Sequence, residues 1–484
     1  MKNCGFSFDT TYTNLPKQFF TKLSTDTVGS PDIIVINNEL SVSLGLDFSK
    51  FKDKELGNLF SGNQLPEGST PFSQAYAGHQ FGYFALLGDG RAHVLGEHIT
   101  PSGRRVDIQF KGSGRTPYSR SGDGKAALGP MLREYIISEA MHYLGIPTTR
   151  SLAVVTTGEP VLRETILSGA ILTRVASSHI RVGTFEYAAN QLDKKAVESL
   201  MNYTIQRHYP ELENSKNLAI SLMQAVMEKQ AELIVNWMRV GFIHGVMNTD
   251  NMTLCGETID YGPCAFMDTY DPNTVFSSID HMGRYSYANQ IKVAQWNLAR
   301  FAETLIEFFD NDLDIATKKA EEMITYFADT CNRKWMMMMY AKLGLFGSFP
   351  GDDQLVYDLL EWMHNNKVDY TNTFLDLSNF EKPTGGEYQD KKFEEWYACW
   401  QNRLKKNSKP FKSSICLMKS VNPIIIPRNH IVEQTLDAAY SSDFKPLLDL
   451  LSIIKKPYSK NSVDSSYQKP PEPSNSTYQT FCGT

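Results

Sequence analysis

Two periodicities share this chain, and the passage from one to the other divides it. Between about Phe81 and Phe110 apolar residues come in short runs: Phe84 to Leu87, His93 to Gly96, Val106 to Phe110. Gly88-Asp89-Gly90-Arg91 separates the first two runs, and Pro101-Ser102-Gly103 separates the next two. Short alternating runs punctuated by turn residues predict a sheet, with a glycine turn between its first two strands. Ile33 to Ile36, Val154-Val155 and Ala170 to Val175 are further strand candidates. Gly129 to Leu144 shifts to helical spacing, with Pro130 near its start and Gly145 after its end.

From about Asn190 helices dominate. The longest candidate, Leu218 to Val240, runs into a loop that begins at His244; Trp296 to Phe309, Ala316 to Met339 and Asp353 to His364 follow. The expected class is α+β, with two lobes meeting at a cleft. Residues 1–189 form a β-rich N-terminal lobe, 190–454 a mainly helical C-terminal lobe, and 455–484, rich in Ser, Pro, Lys and Tyr, a flexible tail.

Composition narrows the function. The 484 residues are 42% hydrophobic and 21% charged, ordinary for a globular protein with ample core. Against 54 acidic residues stand 48 basic ones, a net charge of −6 that offers no case for nucleic acid as a partner. No apolar run approaches the roughly 18 residues that span a bilayer, and the polar start MKNCGFSFDTTYTNLP lacks a signal core. No cysteines form a CxxC pair, so neither a zinc site nor a disulfide framework is expected, and a reducing cytoplasmic location follows.

The densest chemistry lies in His244-Gly245-Val246-Met247-Asn248-Thr249-Asp250-Asn251, followed by Asp260-Tyr261-Gly262. In a kinase catalytic loop the base is an aspartate five residues before the metal-binding asparagine. Here that position is Val246, which cannot accept a proton. Asn251 and Asp260 supply the hard oxygen ligands that Mg²⁺ or Mn²⁺ prefers beside nucleotide phosphates. Asp250 is the nearest carboxylate to the vacant position, either a general base or a turn-forming aspartate. Asn248 reads as a turn residue.

Upstream, Lys111 ends the strand Val106 to Phe110 and matches the strand lysine of the kinase plan. Its helix partner is Glu134 or Glu139, which lie roughly 140° apart around a helix, so one of them faces the cleft. Gly88, Gly90 and Arg91 suit either a phosphate approach or a plain hairpin turn. Lys111 to Lys125 packs four glycines and four cations into one loop, whose ordering an anionic ligand would offset. Arg174 and Arg181 flank Ser177-Ser178-His179 and could contact phosphate.

Together these segments strongly resemble the selenoprotein O family. The matching strings are YAGHQFG (Tyr76–Gly82), LGDGRAHVLGE (Leu87–Glu97), DIQFKGSGRTPYSRSGDGKAALGPMLRE (Asp107–Glu134), HIRVGTFEY (His179–Tyr187), HGVMNTDNM (His244–Met252), IDYGP (Ile259–Pro263) and RNH (Arg428–His430). The resemblance implies a bilobal protein-kinase-like fold that moves AMP, rather than phosphate, from ATP onto Ser, Thr or Tyr hydroxyls of proteins. It implies that ATP binds in reverse, with its α-phosphate near the acceptor. Asp250 then matches the proton acceptor, and Asn251 and Asp260 the metal ligands. Gly88, Gly90, Arg91, Lys111, Asp123, Gly124, Arg174 and Arg181 match nucleotide contacts, and Glu134 the lysine's partner. UMP transfer from UTP is a near variant; γ-phosphoryl transfer and a nucleotide-binding scaffold are the alternatives. Some members bridge tail and body by a disulfide. Here Cys482 supplies a tail thiol but Ser277-Ser278 stand where its partner is sought, so that redox bridge is not expected.

Overall fold

The computed structural model describes residues 4–379, 382–459, 465–472 and 478–480. Its N-terminal part is an antiparallel sheet. The strands are β1 (Phe20–Lys22), β2 (Asp32–Ile36), β3 (Phe72–Gln74), β4 (Ala77–Gln80), β5 (Tyr83–Leu86), β6 (Ala92–Ile99), β7 (Arg105–Lys111), β8 (Ala126–Ala127), β9 (Arg150–Leu162) and β10 (Ile166–Ala176). The sheet runs β1-β3-β6-β7-β10-β9-β2, with β8 added to β10. Strand alternation does the positioning. Along β7, Val106, Ile108 and Phe110 enter a core with Leu40, Leu44, Leu56 and Phe60 from helices α1 (Asn38–Leu44) and α2 (Asp53–Ser61). Asp107, Gln109 and Lys111 therefore point to the opposite face, opposite Ala176, Arg174 and Leu172 of β10. A one-residue slip of register would bury Lys111 under α1 and α2.

One expectation fails. Gly88–Arg91 is not a hairpin turn between adjacent strands of the sheet. Among the described residues β5 pairs only with β4 in a separate two-stranded ribbon, while β6 pairs with β3 and β7. The ribbon's own turn is Phe81-Gly82, with φ of 50° and 89°, the left-handed pair that a two-residue hairpin demands. Periodicity marked the strands but not their partners.

Helix α3 (Leu128–Tyr143) packs on β9 and β10, close to the span the apolar spacing predicts. Helices α4 (Val182–Gln191) and α5 (Lys194–His208) lead into α6 (Leu218–Arg239), which Asn217 caps by accepting from the Ile220 N–H. Leu222, Val226, Ile234 and Met238 of α6 are buried, and α7 (Gln290–Phe309) and α8 (Leu313–Lys342) pack beside it. After α6 the chain turns at Gly241 (φ 72°) into β11 (Phe242–Ile243), which pairs with β12 (Ala265–Phe266). This pairing brackets residues 244–264 and pins the loop read above as chemistry-bearing at both ends. An antiparallel sheet followed by a helical part matches the expected bilobal kinase-like architecture.

The stretch read as a flexible tail touches the body where it is described. Thr480 donates to Pro263 O at 2.8 Å, and its N–H reaches Phe276 O at 2.7 Å. Cys482 lies outside the described residues, whose cysteines form no disulfide with one another. Among the described residues no helix is long and apolar enough to cross a membrane.

Candidate active site

The inward face of the sheet meets the loop after β11 at a charged cluster. Lys111 Nζ lies 2.7 Å from Glu134 Oε2 on α3 and 2.9 Å from Asp260 Oδ1. Arg174 joins the same two carboxylates, at 2.5 Å from Glu134 Oε1 and 2.7 Å from Asp260 Oδ1, and donates to Gln109 at 3.2 Å. Arg181 reaches Asp260 Oδ2 at 3.1 Å and the Asp250 carbonyl at 3.0 Å, with Tyr76 beneath its guanidinium at 4.4 Å. Burial alone would raise the Glu134 carboxyl; Arg174 and Lys111 overcome it and hold the group ionised below its usual range. Burial is likewise overcome at Asp260, which Lys111, Arg174 and Arg181 hold well below the ordinary value. The choice between Glu134 and Glu139 is thereby settled: Glu139 faces away, bound to Arg150 at 2.6 Å and Asn37 at 2.7 Å.

Asp260 has a φ of 61°, a left-handed conformation costing about 1 kcal/mol in a non-glycine residue. The Gly262 N–H closes back on its carbonyl at 2.9 Å. Asp250 sits in a single 3₁₀ turn, Thr249–Asn251. Its carboxyl is buried against Gly78, where a Cβ would come within 2.6 Å of Oδ1, so only glycine lets β4 approach. Among the described residues Oδ1 has no hydrogen-bond partner. Burial pushes this acid up to about 7, against the opposing pull of Arg181. Asn251 donates its amide to Val246 O at 2.9 Å, which leaves its carbonyl oxygen as the end able to ligate a cation.

These groups line one cavity of about 500 Å³. It gathers Gly88, Gly90, Arg91, Lys111, Asp123, Gly124, Arg174, Arg181, Asp250, Asn251 and Asp260, with apolar Val246 among them. Of the residues nominated from sequence, Glu134 alone stands behind the wall, holding Lys111 and Arg174. Glycine is required at Gly124 (φ 72°), where a Cβ would fall 2.3 Å from the Gly114 carbonyl, and at Gly88, where it would meet the Tyr118 ring at 2.4 Å. Asn251 and Asp260 offer an amide oxygen and an ionised carboxylate. That donor set fits a hard divalent cation whose shell is completed by phosphate and water. Among the described residues no group of three or more His, Cys, Asp or Glu forms a metal cage by itself.

Residues 3–455 match the family model described as "Protein adenylyltransferase SelO". The chain belongs to the SelO family. It is 58% identical over 484 residues to "Protein nucleotidyltransferase YdiU" of Nitrosococcus oceani, covering 100% of this chain and 98% of the relative. The proteins of that name from Alcanivorax borkumensis and Pelagibacter ubique are 55% and 53% identical, each alignment covering 99% of both chains. Membership places the chain among the nucleotidyltransferases.

Within this SelO-family site, several participants carried no signal of their own in the sequence. Tyr76, Asp89, Asn248 and Arg163 all line the cavity. Asp89 is buried, accepts from the Gln74 N–H at 3.0 Å and lies 3.9 Å from Arg181. Asn248, read as a turn residue, accepts from the Phe81 N–H at 3.1 Å and the Tyr285 hydroxyl at 2.5 Å. Arg163, from the β9–β10 turn, clamps the Asp123 carboxylate at 2.8 and 3.2 Å. Tyr76, Asp89 and Asn248 fall inside the strings YAGHQFG, LGDGRAHVLGE and HGVMNTDNM, which was the signal available for them.

Proposed function

We propose that this enzyme transfers AMP from ATP to Ser, Thr or Tyr hydroxyls of other proteins. The observation that carries the reading is the unpartnered Oδ1 of buried Asp250 on the wall of a cavity that Asn251 and Asp260 share, with apolar Val246 at the usual base position. A base displaced from that position suits a nucleotide held in reverse, its innermost phosphorus turned toward the acceptor. Asp250 takes the proton of the acceptor hydroxyl. The hydroxyl oxygen bonds to the α-phosphorus as the bond to the bridging oxygen breaks, and pyrophosphate leaves with the electron pair. Lys111, Arg174 and Arg91, which line that cavity, balance the departing charge. Gly88, Gly90, Asp123, Gly124 and Arg181 shape the wall that grips the nucleotide, with Glu134 fixing the lysine. Asn251 and Asp260 would hold Mg²⁺ or Mn²⁺, whose charge neutralises the phosphates.

Parallel incubations with α-labelled and γ-labelled ATP test this. Label on protein from the α-phosphate, with released pyrophosphate, is the expected result; label from the γ-phosphate would show phosphoryl transfer instead. UTP in competition reads the choice of base, because the chemistry at phosphorus is the same for UMP. Asp250→Ala labelling acceptors as well as the parent would remove Asp250 from its role.

A further inference from the structure

The β4–β5 ribbon is used on one side and open on the other. On the β4 side it is fastened to the loop that carries Asp250: the His79 N–H donates to Thr249 Oγ1 at 2.7 Å and the Phe81 N–H to Asn248 at 3.1 Å. On the far side β5 pairs with nothing else among the described residues. Gln80 and Tyr83 flank the two-residue turn and face each other, so the pairing alternates and Phe84 and Leu86 direct their backbone N–H and C=O outward. Edge strands are ordinarily blunted by lysine, proline or a bulge. This one reads Tyr-Phe-Ala-Leu, with Tyr83 81%, Phe84 40% and Leu86 52% exposed. Met282, 92% exposed, lies on the neighbouring loop that meets the ribbon's tip, where a Cβ on Gly82 would stand 4.0 Å from the Arg284 guanidinium.

Arg284, at the ribbon's tip beside Gly82, gives an incoming segment a charge preference at that end. It stacks over Trp296 at 4.8 Å, and no ion pair engages it among the described residues, whereas its neighbour Arg300 holds Glu303 at 2.7 Å. A strand added to β5 would lie about 4.8 Å beyond it. It would run alongside Leu86 toward Leu87 and Gly88, which line the catalytic cavity.

We propose that the free edge of β5 docks the acceptor protein, taking an extended apolar segment as an added strand with an acidic residue against Arg284. The proposal rests on the transfer reading above and names its partner: a protein whose target hydroxyl lies in, or unfolds into, a strand-forming stretch. Backbone pairing gives the affinity, and Phe84, Leu86 and Arg284 give the selection.

The test uses the full chain and fluorescent peptides of about twelve residues that alternate Val or Ile with Thr around one Tyr, flanked by Glu or by Lys. Anisotropy measures binding, and α-labelled ATP measures transfer to the peptide and to N-acetyltyrosinamide, a small acceptor that cannot pair with a strand. Leu86→Pro removes an outward N–H, and Arg284→Glu reverses the charge. The expected result is peptide binding weakened about tenfold by Leu86→Pro, with unchanged KM for ATP and unchanged transfer to the small acceptor. Arg284→Glu should invert the preference from Glu-flanked to Lys-flanked peptides. Peptide affinity within twofold of the parent in both variants, binding of neither peptide, or concentration-dependent dimerisation that Leu86→Pro abolishes would each overturn it. Edge-dependent binding without any label reaching peptide or small acceptor would instead leave the docking intact and sink the transfer reading.

Discussion

Asp250 and Asp260 stand on the wall of one cavity and treat a proton in opposite ways. Asp260 accepts from Lys111, Arg174 and Arg181 and is held well below the ordinary carboxyl value. Asp250 has one oxygen without a partner and is pushed up to about 7 by burial. The same desolvation acts on both, so partners decide the outcome. Three cations paired to its carboxylate keep Asp260 an anion, whereas the Asp250 carboxyl forms no ion pair with them and burial prevails there over the pull of Arg181. Arg181 shows how sharply the two are kept apart: its guanidinium meets the carboxylate of Asp260 but only the backbone carbonyl of Asp250.

The strongest way to break the contrast is to remove the titrating carboxyl of Asp250 and keep its shape. Asp250→Asn should lower kcat for α-label transfer by about a hundredfold to ten-thousandfold, with the KM for ATP within twofold. An equal rise in KM would mean that Asp250 serves binding. Next in size is the opposite edit, to the compensated side. Glu134→Gln leaves Lys111 and Arg174 sharing only Asp260, so a buried ion set loses one partner. Denaturant unfolding should show a loss of about 3 kcal/mol. Unchanged stability would mean that the cluster is not held by pairing.

Much of this was legible in the residues and some could not be. The loop 244–262 announced itself because its chemistry is contiguous, and Lys111 because it closes a strand of clear alternation. Choosing Glu134 over Glu139 needed the packing of α3, since helical spacing says only that one of the two faces inward. The partners of β5 were misjudged because periodicity reports a strand's faces and not its neighbours. Arg163 escaped notice and Asn248 was read as a plain turn residue because each acts across the fold, through Asp123 and through Phe81 and Tyr285.

A third buried aspartate sharpens the rule away from the cavity. Asp107, on the inward face of β7, meets Arg207 at 2.6 Å and His179 at 2.8 Å. Burial alone would raise it, yet Arg207 and His179 bring it down to about 2. A carboxyl depressed on folding adds stability that is present above its unfolded value near 3.9 and is lost as pH falls through about 2. Asp107→Asn should therefore flatten acid unfolding between about pH 4 and pH 2, removing about 2 kcal/mol of pH-dependent stability. An acid limb identical to the parent's would show that pairing does not set this proton affinity.

The smallest effect belongs to a neutral contact beside the same loop. Thr480 Oγ1 donates to the carbonyl of Pro263, three residues after Asp260. Thr480→Val keeps the side-chain shape and removes the donor, which leaves a buried carbonyl short of one bond. A loss of about 1 kcal/mol is expected, read by denaturant unfolding. It should not change the pH dependence of stability, because no charge is involved, whereas the Asp107 edit must. If Thr480→Val instead lowered transfer as much as the Asp250 edit, the carbonyl of Pro263 would be steering Asp260, and the contrast between the two aspartates would owe as much to backbone position as to charge.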